Sequence, residues 1–348
     1  MEYLRSSKAG LEIETCLYNT DYAGQQWQIT PFEIIDGFIL HLRGCLDDYD
    51  TKLLLAHDVN IDYTNWQLVG DRSIRCPINL EQVDELEDEE IEYAEDYRLA
   101  VSDEDLFNYA SVEIVTSVYD YDNIDLLTRI IDRCLLSDDY AYGFNSSQGI
   151  HYNISNTIIN SQSENDRLQT IQKILELVWI LEPLIISYLP EYRQNEVIDG
   201  TFCNSLRKVF GSLKNMKSNW KRFFTIKKEK HKEVNNGLGK FFLPKYTMIN
   251  VKNITEESSE GVYFEFRFGS IHMISEVMKA WIKMLSVIIA SALSPPLYEI
   301  LANTIKLSLE KQEKQFTQVL LDIGGREMFD DTIGIIERLP TEGGPGTG

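Results

Sequence analysis

Four short segments of this chain repeat one arrangement: apolar side chains alternate with charged, imidazole or amide ones, which marks a strand with two unlike faces. In residues 11–17, Leu11, Ile13, Thr15 and Leu17 fall on one side and Glu12, Glu14 and Cys16 on the other. Residues 112–115 are a β-branched run that holds Glu113. In residues 150–154, Ile150, Tyr152 and Ile154 oppose His151, Asn153 and, by continuation, Ser155. In residues 262–268, Val262, Phe264, Phe266 and Phe268 oppose Tyr263, Glu265 and Arg267. A helix, with its 3.6-residue period, would scatter both sets around its circumference.

Helical spacing accounts for much of the rest. It predicts helices over residues 31–46, 126–135 and 168–189, the last bent at Pro183 because proline lacks a donor and clashes with the preceding turn. The longest apolar stretch, residues 271–292, contains Glu276, Lys279 and Lys283 on the side opposite Val277, Met278, Trp281, Ile282 and Leu285. Charges there are costly in lipid, so a buried helix is expected rather than a membrane span. Residues 66–74 read as a hairpin around Gly70, Asp71 and Arg72, and residues 247–251 and 262–268 as a second hairpin. After Pro295 and Pro296 a polar helix is expected to about Leu321, then a break at Gly324–Gly325. The glycine-rich end, residues 343–348, is expected to be disordered. The expected class is α+β: an antiparallel sheet with one polar face, and helices packed on the other.

With no internal repeat and no linker, residues 1–322 are expected to form one domain carrying two insertions, followed by a C-terminal extension over 323–348. Residues 81–105 hold thirteen acids in twenty-five positions and read as a solvated insertion. Residues 204–245 invert the balance, with twelve Lys or Arg against two acids and Trp220, Phe223, Phe224, Phe241 and Phe242 interleaved. Across the chain the formal net charge is -22, which excludes a surface that is basic throughout, as nucleic-acid binding would favour. The five cysteines are odd in number and lack zinc spacing, so free thiols in a reducing compartment are expected. The first ten residues carry no apolar secretion core, and the expected location is the cytoplasm.

The polar faces would bring together Glu12, Glu14, Glu113, His151, Glu265 and Arg267. Residues two apart on a strand project the same way about 6.5–7 Å apart, so one sheet can collect such a set with ordinary backbone geometry. Clustered carboxylates disfavour one another's charge, and magnesium relieves this through oxygen ligands while bridging to phosphates. An arginine in the same group can clamp a transferring phosphoryl. The chain has no G-x-S-x-G elbow, Walker loop or H-E-x-x-H motif, and four of its five histidines stand outside these segments.

Gly10-Leu-Glu-Ile-Glu14, Ser111-Val-Glu-Ile-Val-Thr-Ser117, Gln148-Gly-Ile-His-Tyr-Asn153 and Phe264-Glu-Phe-Arg267 resemble, in order and spacing, the motifs of the amidoligase family. These are carboxylate–amine ligases related to glutamine synthetase and glutamate–cysteine ligase. The resemblance spans roughly residues 9–292, with Asp71-Arg-Ser73 and Lys245-Tyr-Thr-Met-Ile-Asn250 as further pieces. It implies a sheet whose polar face forms an ATP funnel, where a carboxylate is phosphorylated and an amine displaces the phosphate. It also implies Glu12, Glu14, Glu113, His151 and Glu265 as magnesium ligands, with Glu12, Arg267 and His151 at the chemistry. Arg267, Asn250, Lys245 and Asn153 would face the nucleotide, and Asp71 and Ser73 would help orient substrate. Two positions depart from the family: Asn153 stands where a second histidine is usual, and Lys245 where an arginine is usual. Asparagine is no base, and lysine lacks the bidentate fork. The implied cofactors are ATP and Mg²⁺, and the implied partners are small-molecule or peptide acids and amines. Two other readings stay open: a ligase fold that has lost turnover and serves a structural or regulatory role, and single-stranded nucleic-acid binding by residues 204–245.

Overall fold

A computed structural model describes residues 2–19, 31–56, 65–69, 109–135, 140–143, 149–199, 203–220, 247–252, 261–269 and 275–336. In chain order the elements are α1 (Glu2–Arg5), β1 (Ser7–Asn19), α2 (Pro31–Asp47), β2 (Leu53–Ala56), β3 (Trp66–Val69), β4 (Tyr109–Val115), β5 (Tyr119–Asp120), α3 (Ile124–Leu135), β6 (Tyr140–Gly143), β7 (Gly149–Asn156), α4 (Thr157–Ser161), α5 (Glu164–Ser187), α6 (Glu191–Asp199), α7 (Leu206–Phe210), β8 (Ile249–Lys252), β9 (Tyr263–Gly269), α8 (Ser275–Leu293), α9 (Pro295–Ala302), α10 (Leu309–Asp330) and α11 (Ile333–Ile336). The fold is α+β with mostly antiparallel strands, as the alternation predicts. The described residues fall into two compact units, one drawn from 1–10, 119–125 and 151–341 and the other from 11–118 and 126–150.

In the second unit the strand order is β2-β3-β4-β1. Strands β2 and β3 run parallel, with Leu53 opposite Trp66, whereas β3–β4 and β4–β1 are antiparallel, with Leu68 opposite Ile114 and Ile114 opposite Ile13. Leu11, Ile13, Leu17 and Ile114 are fully buried, and α2 lays Phe38, Leu42 and Leu46, also fully buried, against β4 and β2. Each such side chain stabilises the fold by about 1.5–3 kcal/mol relative to exposure. Helices α2 and α3 are tied by polar contacts: His41 Nε2 lies 3.0 Å from the Cys134 carbonyl, and Cys45 Sγ donates to the Arg133 carbonyl at 3.6 Å.

In the first unit the order β7-β9-β8 places the expected second hairpin at one end, with Ile249 opposite Phe266 and Asn250 opposite Glu265. The N-terminal end of β1 pairs with β5, Lys8 facing Asp120. Asn156 ends β7 and caps α4: its Oδ1 accepts from the Ile158 N–H at 3.0 Å while its Nδ2 donates to the Tyr3 carbonyl at 2.8 Å. The apolar side of β9 meets α8, where the Phe268 and Trp281 rings pack edge to face, 5.0 Å apart. Helix α8 in turn packs on α5, α9 and α11, and Pro183 lies inside α5.

Helix α8 is buried around nearly all its circumference, and its charges are the exceptions the sequence marks. Glu276 is exposed, while Lys279 and Lys283 pair with Asp331, and Lys279 also meets Asp125 at 2.5 Å. No single helix among the described residues is long and apolar enough to cross a membrane.

Two expectations need correction. The helix expected to about Leu321 runs on to Asp330, and the expected break at Gly324–Gly325 is a kink within it, where Gly325 takes φ 71° and ψ -164°. The core continues past it through Met328 and Ile333, both buried. Of the five cysteines, Cys45, Cys134 and Cys203 are free and buried, but Cys16 is disulfide-bonded, so spacing alone misjudged it. The thiol argument for a reducing compartment therefore lapses. The expected turn and return strand over 70–74, the acidic residues 81–105, residues 221–245 of the basic segment and the glycine-rich end lie outside the described residues.

Candidate active site

In the second unit, Glu12 and Glu14 sit two residues apart on β1 and therefore share a face. Register then brings Glu113 of β4 directly opposite Glu14. Glu14 and Glu113 are half-buried and Glu12 is buried. Directly opposed side chains in an antiparallel pair have Cβ atoms about 4.5–5.5 Å apart, where like charges are unfavourable. A cation between such carboxylates would remove that cost.

In the first unit the hub is Glu265, whose side chain is fully buried. Arg267, two residues along β9, returns Nη1 to Glu265 Oε1 at 2.5 Å. His151 Nδ1 of β7 lies 3.6 Å from the same oxygen, and Asn250 of β8 donates from Nδ2 to Oε2 at 3.1 Å. A buried carboxylate persists when its charge is paired and hydrogen-bonded, and charge-assisted bonds such as that from Arg267 are the stronger kind. Asn153, on the His151 side of β7, is 4% exposed. His151, Asn153 and Glu265 are each buried rather than bathed in solvent, as is Glu12 in the other unit.

Both sets therefore form from strand periodicity: Glu12, Glu14 and Glu113 in one unit, and His151, Asn250, Glu265 and Arg267 in the other. Asp71, Ser73 and Lys245 lie outside the described residues. Two polar residues went unread in the sequence. Gln67 of β3, 2% exposed, stands opposite Val115, which in turn faces Glu12, so Gln67 lies on that rung. Its only sequence signal was a polar residue between Trp66 and Leu68. Arg193 of α6 is 3% exposed, and its guanidinium donates from Nη2 to the Arg267 carbonyl at 2.9 Å. A lone arginine on a short polar helix gives no such signal.

Paired strands thus present three acids in one unit and a carboxylate, an imidazole and a guanidinium in the other, groups able to contact charged ligands. The family model described as "Putative amidoligase enzyme" matches residues 6–287, and the chain belongs to that family. No curated protein matches it.

Proposed function

We propose that this chain is an ATP- and Mg²⁺-dependent carboxylate–amine ligase, forming an amide or isopeptide bond through an acyl phosphate. The single observation that carries the reading is Glu265: a fully buried carboxylate contacted by a guanidinium, an imidazole and an amide, on a strand of an amidoligase-family chain. Carboxylates supply the hard oxygen donors that magnesium takes, so Glu12, Glu14 and Glu113 in one unit, and Glu265 with His151 in the other, are each donors that suit the ion. When bound, Mg²⁺ would neutralise phosphate charge and orient the triphosphate.

The chain's own residues do the rest. Arg267, already paired with Glu265, offers a planar fork to the γ-phosphoryl oxygens, and its partial burial strengthens that attraction. His151 stands ready to hold a proton or contact phosphate, and Asn250 fixes the angle of Glu265. Lys245 and Asn153 complete the nucleotide contacts in this reading. A glutamine-synthetase-like sheet would follow from the same family relationship, and an experimental structure superposed on that fold would test it. An ATP-consuming reaction fits a cytoplasmic setting, and cell fractionation with antibody detection would decide.

The test is incubation with ATP, Mg²⁺ and a library of carboxylic acids and amines, reading ADP release and the mass of coupled products. Substrate-dependent ADP with a product lighter by one water than its two precursors supports the ligase. Its absence across the library, with no Mg²⁺-ATP binding, would sink the proposal.

A further inference from the structure

The last rung of the β8–β9 ladder is incomplete in an informative way. Directly opposed residues in a hydrogen-bonded antiparallel pair exchange two bonds, each N–H donating to the other's carbonyl. Arg267 N–H does donate to the Met248 carbonyl, at 3.0 Å. The return bond is replaced: Met248 N–H donates to the Asn204 carbonyl at 2.9 Å, just before α7. The Arg267 carbonyl instead accepts from Arg193 Nη2 at 2.9 Å, and Arg193 Nε donates to the next carbonyl, Phe268, at 3.4 Å.

One guanidinium thus grips two successive carbonyls at the end of β9, where the strand loses its neighbour's donor. It does so from a buried position, where side-chain donors meet little competition from water. The N–H and C=O of Arg267 are both spoken for, which fixes the direction in which its side chain leaves the strand. That side chain reaches back to Glu265.

We propose that Arg193 is a positioning residue for Arg267, aiming the guanidinium that meets the nucleotide's terminal phosphate. The role rests on the ligase reading above, but its geometric half does not. Arg193 acts through the Arg267 and Phe268 carbonyls, and misplacing a phosphate-clamping group by about 1 Å can lower a rate on the order of 100-fold.

The experiment uses the full chain with Arg193→Met and Arg193→Lys, each made alone and with Arg267→Ala, under two readouts. The first is the arginine Nε–H signal of Arg267, assigned by its loss in Arg267→Ala and recorded without nucleotide. Arg193→Met should shift or broaden it, and Arg193→Lys, which keeps one donor, should preserve it in part. An unmoved signal in Arg193→Met overturns the proposal whatever the protein's activity. The second is calorimetric titration with Mg²⁺-ATP. Arg193→Met should weaken binding about tenfold or more in the native background and have no further effect beside Arg267→Ala. Equal losses in both backgrounds mean a merely structural staple and overturn the proposal. A native chain that binds no Mg²⁺-ATP overturns the ligase reading and the nucleotide half of this one, while the resonance still decides the geometric half. If Arg193→Met fails to fold, Arg193→Lys carries the same comparison: an Arg267 signal and affinity both unchanged from the native chain overturn the proposal.

Discussion

Asn250 Nδ2 donates to Glu265 Oε2 at 3.1 Å from the position directly opposite on the neighbouring strand, so register alone delivers the amide to the carboxylate. Removing it withdraws a donor from a fully buried carboxylate. We expect Asn250→Ala to cost about 1–3 kcal/mol of stability. Asn250→Asp should cost more, because it sets a second carboxylate against the first. Urea denaturation of the two variants checks both the loss and its order.

Glu265→Gln should abolish Mg²⁺-dependent ATP turnover in the ligase reading. It should also destabilise the fold by about 1–3 kcal/mol, since Arg267 and His151 would face a neutral amide in a buried place. Turnover and a melting curve on the same preparation separate the two effects. Native-like turnover in a folded variant would remove Glu265 from the chemistry.

Much of this was legible beforehand because strand periodicity is rigid. Once Leu11, Ile13 and Leu17 are committed to the core, Glu12 and Glu14 must share the opposite face, and Phe264 and Phe266 likewise dictate where Glu265 goes. Register across strands was not legible, so nothing in the sequence said that Glu14 would face Glu113 or that Asn250 would face Glu265. Arg193 was invisible because its partners are carbonyls, which carry no sequence identity. The break at Gly325 was legible because glycine disrupts helices, but whether a helix resumes depends on what lies beyond, here Met328 and Ile333 finding the core. The Cys16 disulfide escaped because pairing depends on distance in the fold.

Lys279 links stability to alkaline pH. Burial alone would lower its pKa, but the hydrogen bond and charge of Asp125, with Asp331, more than reverse that and raise it. Its folded value lies above the unfolded value of about 10.4, so its contribution is fully present below that pH and is lost as pH rises through the folded value. Because Asp125 is largely exposed, we expect Lys279→Met to cost at most about 1 kcal/mol at neutral pH. The variant should also show a shallower fall in stability above about pH 10. Urea denaturation across that range reads both.

Gly261 opens β9 from the left-handed region, at φ 75°, and a Cβ there would fall 2.5 Å from Asn160 Nδ2. Asn160 Oδ1 also holds the Val262 N–H at 2.8 Å, so the clash would disturb the strand's first anchor. Gly261→Ala should destabilise by about 1–3 kcal/mol. A melting temperature within a degree of the native protein would contradict this left-handed conformation and its contact with Asn160.

Cys134 and Cys203 give this protein an internal clock. Each thiol is fully buried, and burial together with neighbouring Cys45 pushes the Cys134 thiol well above its ordinary value, which disfavours the thiolate that alkylating reagents attack. One lies in each compact unit. Each is modified when its own unit opens, so with reagent concentrated enough to outpace reclosing, mass-resolved labelling times the two units separately in a single tube.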